Sequence, residues 1–200
     1  MKNKTLSQTF AILVPFLIIF GIVYLIQDKE IPVTTNTLTT CEKVLFERMN
    51  VLHTSYDVST IYDGPRAPVR FDGNFPDARM FRTKITEAVA QGPNFAGHYT
   101  VATWGCGSGC QEHAVVDVKS GDVISFGLIT EMGIKYYPNN RILITNPKES
   151  FPKFDETDMT PLEIAMTWSR LPREYYELTE DNGTTYLQKV CTENPFEGTL

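Results

Sequence analysis

The sequence predicts an α+β fold: a single domain of mainly antiparallel β-hairpins with two or three short helices, preceded by one N-terminal transmembrane helix. Three observations carry that expectation. Apolar, β-branched runs come in pairs around glycine-containing turns, as antiparallel neighbours require. Two helix-length stretches repeat apolar residues at helical intervals. The third is an unbroken apolar segment near the amino terminus, and at 200 residues the remainder suffices for one core.

Lys2 and Lys4 precede an apolar run from Phe10 to Ile26, 17 residues long. That is close to the shortest helix that crosses a bilayer. Pro15, Gly21 and Tyr24 are tolerated in such a helix, and no polar face breaks the run as it would in a buried soluble helix. Ile26-Gln27-Asp28-Lys29-Glu30 lacks the small-x-small pattern of a cleavage site, and no cysteine ends the run for lipid attachment. The expectation is a retained signal anchor. Residues 1–8 stay in the cytoplasm, 9–26 span the cytoplasmic membrane once, 27–38 form a polar stalk, and 39–200 fold outside.

Residues 30–200 hold 15 basic and 23 acidic residues, a formal charge of −8. That field opposes nonspecific attraction to nucleic acid or anionic lipid, and no dense Lys/Arg cluster offsets it, so nucleic acid is not an expected partner. All four cysteines, Cys41, Cys106, Cys110 and Cys191, lie beyond the apolar run. An even set in an oxidising compartment favours two disulfides, with three complete pairings open. Proximity and a flexible intervening loop favour Cys106–Cys110, which leaves Cys41–Cys191 to tie the ends of the domain.

In chain order, Thr39 and Glu42 form a capping box before Val44, Leu45, Met49 and Leu52, which make an apolar helical stripe. Residues 57–73 are turn-rich, with a break at Asp63-Gly64-Pro65 and an edge strand at Pro68–Phe71. Asp77 is read as the cap of a second helix running to about Ala90, with Phe81, Ile85, Ala88 and Val89 on its apolar face. Phe95–Thr103 reads as a strand, and His113–Val118 and Val123–Phe126 as a hairpin around Lys119-Ser120-Gly121-Asp122. Ile142–Thr145 is a short buried strand stopped by Pro147. Residues 148–160 make an acidic loop, and Thr160-Pro161-Leu162-Glu163 starts a helix of about ten residues. Asn182-Gly183 then turns a last hairpin between 175–178 and 185–190.

The segment richest in chemistry is Asn94-Phe95-Ala96-Gly97-His98-Tyr99, followed by Trp104-Gly105-Cys106-Gly107-Ser108-Gly109-Cys110. Residues Tyr62–Val123 resemble a family of uncharacterised exported bacterial proteins. The resemblance rests on Gly64, on Ala78, Arg79, Phe81, Arg82 and Thr83, on the two motifs just quoted, and on Asp117-x-x-x-Gly121. Asn140–Ile144 and Tyr175-Tyr176 extend it, so that it spans about 56–190. It implies an exported location and one fold unit, and no particular reaction.

Several roles remain open for these residues. Cys106 and Cys110 serve as a structural disulfide, as exchange-active thiols, or as thiolate ligands. A metal site would recruit Cys106, Cys110, His98 and His113. A Cys/His hydrolase would use Cys106 or Cys110 as nucleophile, His98 as base and Asp117 to orient a histidine. Asn94, His98, Tyr99 and Arg82 are candidate ligand contacts, for a peptide, an envelope polymer or another envelope protein. Phe95 and Trp104 read as core. The favoured reading is a membrane-anchored, disulfide-stabilised binding or structural domain that needs no cofactor; the alternatives are an exported thiol-dependent enzyme and a small metal-binding protein.

Overall fold

A computed structural model describes residues 40–52, 55–151 and 171–194, with the side chains of 51 and 52 left out of the description. All fall within one compact unit. Helix α1 is Thr40–Leu52; a 3-10 turn, Pro76–Phe81, runs into α2, Arg82–Gln91. The strands are β1 (Tyr99–Gly107), β2 (Cys110–Asp117), β3 (Val123–Thr130), β4 (Ile134–Tyr137), β5 (Asn140–Thr145), β6 (Arg173–Asp181) and β7 (Thr184–Glu193). They form two antiparallel sheets in simple meander order, β1-β2-β3 and β4-β5-β6-β7. This is the expected α+β class.

The three-stranded sheet is the middle layer. Alternate side chains of a strand point to opposite faces, and here both faces are apolar. Ala102, Trp104, Ala114 and Val116 pack against Ala78, Ile85 and Val89 of the helical layer, with Phe81 stacked on Trp104 at 4.7 Å between ring centroids. Tyr99, Val101 and Val115 pack with Phe95 against Leu143 and Leu178 of the second sheet. Ile85 and Leu143 are fully buried, and each such side chain contributes about 1.5–3 kcal/mol of transfer free energy. Either face polarised by a charge would lose one of two cores.

Both disulfides form as the loop arithmetic favoured. Cys41 on α1 joins Cys191 on β7 across 150 residues, with Cα atoms 5.7 Å apart. Cys106 joins Cys110 across 4 residues, with Cα atoms 5.1 Å apart. The Cys41 amide donates to Glu193 at 3.1 Å, and further along α1 Arg48 pairs with the buried Glu177 at 3.2 Å. The stripe of α1 faces inward through half-buried Val44, Leu45 and Met49.

Four readings are corrected. Asp77 caps nothing: Phe75 is the N-cap, no side chain bonds there, and Pro76 opens a 3-10 turn before the α-helix starts at Arg82. Phe95–His98 is a tight turn, and the strand begins at Tyr99 and continues through Gly107. Pro68–Phe71 is a loop, attached by one parallel bridge between Arg70 and Asp122. Strand β4 at Ile134–Tyr137 stands where no element was expected. The apolar run 9–26, the stalk, the Thr39 cap and the helix after Thr160 lie outside the described residues. No helix among the described residues is long and apolar enough to cross a membrane.

Candidate functional site

The Asn94–Tyr99 motif builds a turn before it builds a surface. Phe95 and Tyr99 exchange two backbone hydrogen bonds, each 2.9 Å, and between them Ala96 and Gly97 take φ of 44° and 84°. Gly97 suits that region; a side chain there would also meet Val58 and the Thr60 carbonyl. Asn94 holds the turn against β1: its Oδ1 accepts from the Val101 amide at 2.7 Å and its Nδ2 donates to the Val101 carbonyl at 3.1 Å. Asn94 is therefore a clasp rather than a ligand contact. The Gly97 amide donates to the Pro138 carbonyl at 2.6 Å, and Tyr62 N–H donates to Gly97 at 2.8 Å. The turn is pinned on both sides.

This pinned turn presents His98 and Tyr99. Their rings lie 4.2 Å apart, and His98 Nε2 sits 3.8 Å from Asp117 Oδ1 on β2. Burial lowers the His98 pKa below the usual imidazole value; Asp117 opposes that shift, Lys119 reinforces it and Glu180 opposes it. Burial raises the Tyr99 hydroxyl, a hydrogen bond to Thr185 lowers it, and Asp117 and Glu180 raise it again. Asp117 also accepts from the Lys119 amide at 2.8 Å, which shapes the β2–β3 turn. At that turn Gly121 has φ 80°, and an added Cβ would run into the Pro68 backbone.

Beside these groups is a cleft of about 390 Å³, lined by Gly73, Asn74, Asp117, Ser120, Asp122, Val123, Ile124, Gly183, Thr184 and Thr185. Two carboxylates, three hydroxyls and an amide converge there, and Arg70 already neutralises Asp122 by an ion pair. Such a wall accepts hydrogen bonds from hydroxyls or amines. The cleft draws on three turns distant in sequence. Asp122, Glu180, Thr184 and Thr185 were not read as site residues, because nothing local in the chain shows that the β6–β7 turn meets the β2–β3 turn.

The remaining expected site residues lie elsewhere. Cys106 and Cys110 occupy the other end of the β1–β2 hairpin, seven strand residues from Tyr99, or roughly 23 Å. The structure does not bring His98 to them. Both sulfurs are in the disulfide, so the resting protein holds neither thiolate nucleophile nor thiolate ligand there, as the thiol-enzyme and metal-binding alternatives require. Among the described residues no three His, Cys, Asp or Glu side chains gather to hold a metal ion. His113 is fully buried between Thr103 and Thr130, each hydroxyl 2.8 Å from one ring nitrogen. Burial drives its pKa down to about 4; it is a neutral, hydrogen-bonded core group. Arg82 is exposed on α2, on the opposite side of the middle sheet from Tyr99. Phe95 and Trp104 are core as read, and Tyr99 is 6 % exposed, so with Asn94 engaged by Val101 the half-buried member of the motif left to face the cleft is His98.

Together, fold and site define a disulfide-stapled α+β domain with a polar cleft at the turn end of its middle sheet. No protein-family model, no curated protein and no solved structure matches the chain.

Proposed function

We propose that this chain is an extracytoplasmic binding domain, held at the cytoplasmic membrane by residues 9–26, whose cleft beside His98 takes a hydroxyl-rich segment of an envelope polymer. The observation that carries the reading is convergence. A turn clasped by Asn94 delivers His98 and Tyr99 to the side of Asp117, where Ser120, Thr184 and Thr185 line the same cleft. Carboxylates and hydroxyls accept paired hydroxyl donors, a combination suited to sugar rings. The charge of residues 30–200 argues against an anionic polymer at this place. The resemblance of Tyr62–Val123 to exported bacterial proteins supports the location, as do four cysteines that are all paired.

The test is titration of the full chain in detergent micelles with a soluble tetramer of N-acetylglucosamine. The reading expects saturable binding that moves the His98 and Thr185 resonances, weakened at least tenfold by Asp117→Asn. Binding that leaves those resonances still, or an Asp117→Asn variant with unchanged affinity, discards the cleft. Reporter fusions at residue 200 separately test the orientation: activity of a reporter that works only in the cytoplasm would discard the anchor reading.

A further inference from the structure

A second cavity, remote in chemistry from the His98 cleft, lies on the four-stranded sheet beside the Cys41–Cys191 staple. It measures about 340 Å³, and Lys135, Lys148, Glu149, Arg173 and Tyr175 are among its lining residues. Arg173 opens strand β6 and is 4 % exposed. Its Nη1 donates to Glu193 Oε1 at 2.7 Å, while Nε and Nη2 are buried with no hydrogen-bond partner among the described residues. Those two nitrogens form one edge of the guanidinium, the pair of parallel donors that takes a carboxylate in bidentate fashion. Buried donors are satisfied in the great majority of native structures, so an unsatisfied pair calls for an explanation.

Neighbouring carboxylates do not supply it. Glu193 already accepts from Arg173, from the Tyr175 hydroxyl at 2.9 Å and from the Cys41 amide at 3.1 Å. Glu149 is paired with Lys135 at 2.6 Å. The strand itself cannot drift to find a partner: Glu174 N–H donates to Thr145 at 3.1 Å, and Asn146 Nδ2 donates to the Pro172 carbonyl at 3.1 Å. The guanidinium is held in place with one edge unanswered.

We infer that this cavity is a carboxylate-binding site, in which the Nε and Nη2 edge of Arg173 clamps the ligand carboxylate and Lys148 adds positive charge at the mouth. The charges favour a monoanion. Arg173, Lys135 and Lys148 are balanced by Glu193, Glu149 and Glu42, so a carboxylate adds one uncompensated charge where a phosphate dianion adds two. Lys148 and Glu149 are long and exposed, so admitting a ligand needs rotamer changes rather than movement of the sheet. The volume accommodates the terminal residue of a peptide as well as a small organic acid.

Arg173 is read directly by its side-chain 15N resonance in the full chain, titrated with N-acetyl-alanyl-alanine, its C-terminal amide, acetate and inorganic phosphate. The dipeptide acid is expected to shift the Arg173 Nε–H signal saturably and its amide to leave it in place. Arg173→Lys, which keeps the charge and loses the fork, is expected to weaken binding at least tenfold. Lys148→Ala, an exposed change, is expected to weaken it two- to fivefold. A response to the dipeptide alone assigns a peptide terminus, and an equal response to acetate assigns a small acid. An unmoved wild-type Arg173 signal, equal binding of acid and amide, or tighter binding of phosphate overturns the site, whether or not Arg173→Lys folds.

Discussion

The two ends of the β1–β2 hairpin are held by different physics. At the open end, where the Phe95–Tyr99 turn and the β2–β3 turn lie, loops from elsewhere in the chain close over the backbone: Ala67 N–H donates to Val118, Arg70 N–H to Gly121, and Gly97 N–H to Pro138. At the cysteine end the tip projects freely. An added Cβ at Gly107 or Gly109 would meet nothing within 4 Å, and the local cross-link is a covalent one, Cys106–Cys110. Packing fixes one end and a sulfur bridge the other. The lesson concerns glycine: at Gly121 it answers both a backbone angle and a shortage of space, whereas at Gly109 it answers the angle alone. The packed end is also where His98, Asp117 and the cleft lie.

Substitutions that separate these two mechanisms rank clearly. Gly121→Ala combines left-handed strain with a collision against Pro68, and is expected to cost about 4 kcal/mol in a denaturant titration. A loss near 1 kcal/mol would show that the Pro68 loop yields and that the open end is not locked. Next comes pH. His113 is neutral when folded, with its pKa lowered to about 4, against about 6.5 when unfolded. The unfolded chain therefore binds the extra proton between those values, so the stabilisation is complete above about pH 6.5 and declines as pH falls toward 4. The expected loss is about 3 kcal/mol, with a slope that His113→Gln flattens. His98, lowered in the same direction by burial, adds to the slope with the same sign.

Smaller effects belong to the exposed tip. Replacing Cys106 and Cys110 together by serine releases only a short loop in the unfolded chain, and is expected to cost about 1–2 kcal/mol. At limiting dithiol, alkylation and peptide mapping should find this pair reduced before Cys41–Cys191, because Cys106 is exposed whereas Cys41 is fully buried. The reverse order would break the contrast between the ends. Gly109→Ala, with φ 65° and open surroundings, is expected to cost about 1 kcal/mol.

Much of the architecture was legible because local chemistry agreed with it. Asn182-Gly183 takes φ of 49° and 76°, the paired left-handed turn its composition calls for, and Gly121 turns β2 into β3. Pro147 stands two residues after the last residue of β5. What was hidden depended on partners. Ala96 at φ 44° gives no sign in sequence that Phe95 begins a turn rather than a strand. Strand β4 is four residues long and joined to β5 through Pro138-Asn139, which carries no hairpin signature. Pro76 redirected the first turn of the second helix away from Asp77. For the site, His98 and Asp117 could be suspected, yet their contact needed the β1–β2 register that pairs Tyr99 with Asp117. Thr185 and Glu180 come from the other sheet, and no spacing rule reaches across that interval. The unanswered edge of Arg173 is visible only once Glu193 is seen to be occupied.

The Cys41–Cys191 bridge also decides how this protein bears force. Thr40 opens the first described helix and Glu193 ends the last strand, each within two residues of the bridge. A pull applied to the chain on either side of the domain travels from one tail to the other through the sulfur atoms. Both sheets, both helices and both cavities hang in the slack loop between them. Stretching the tails of the oxidised protein should therefore leave the fold untouched, while the reduced protein should unravel under the same tension.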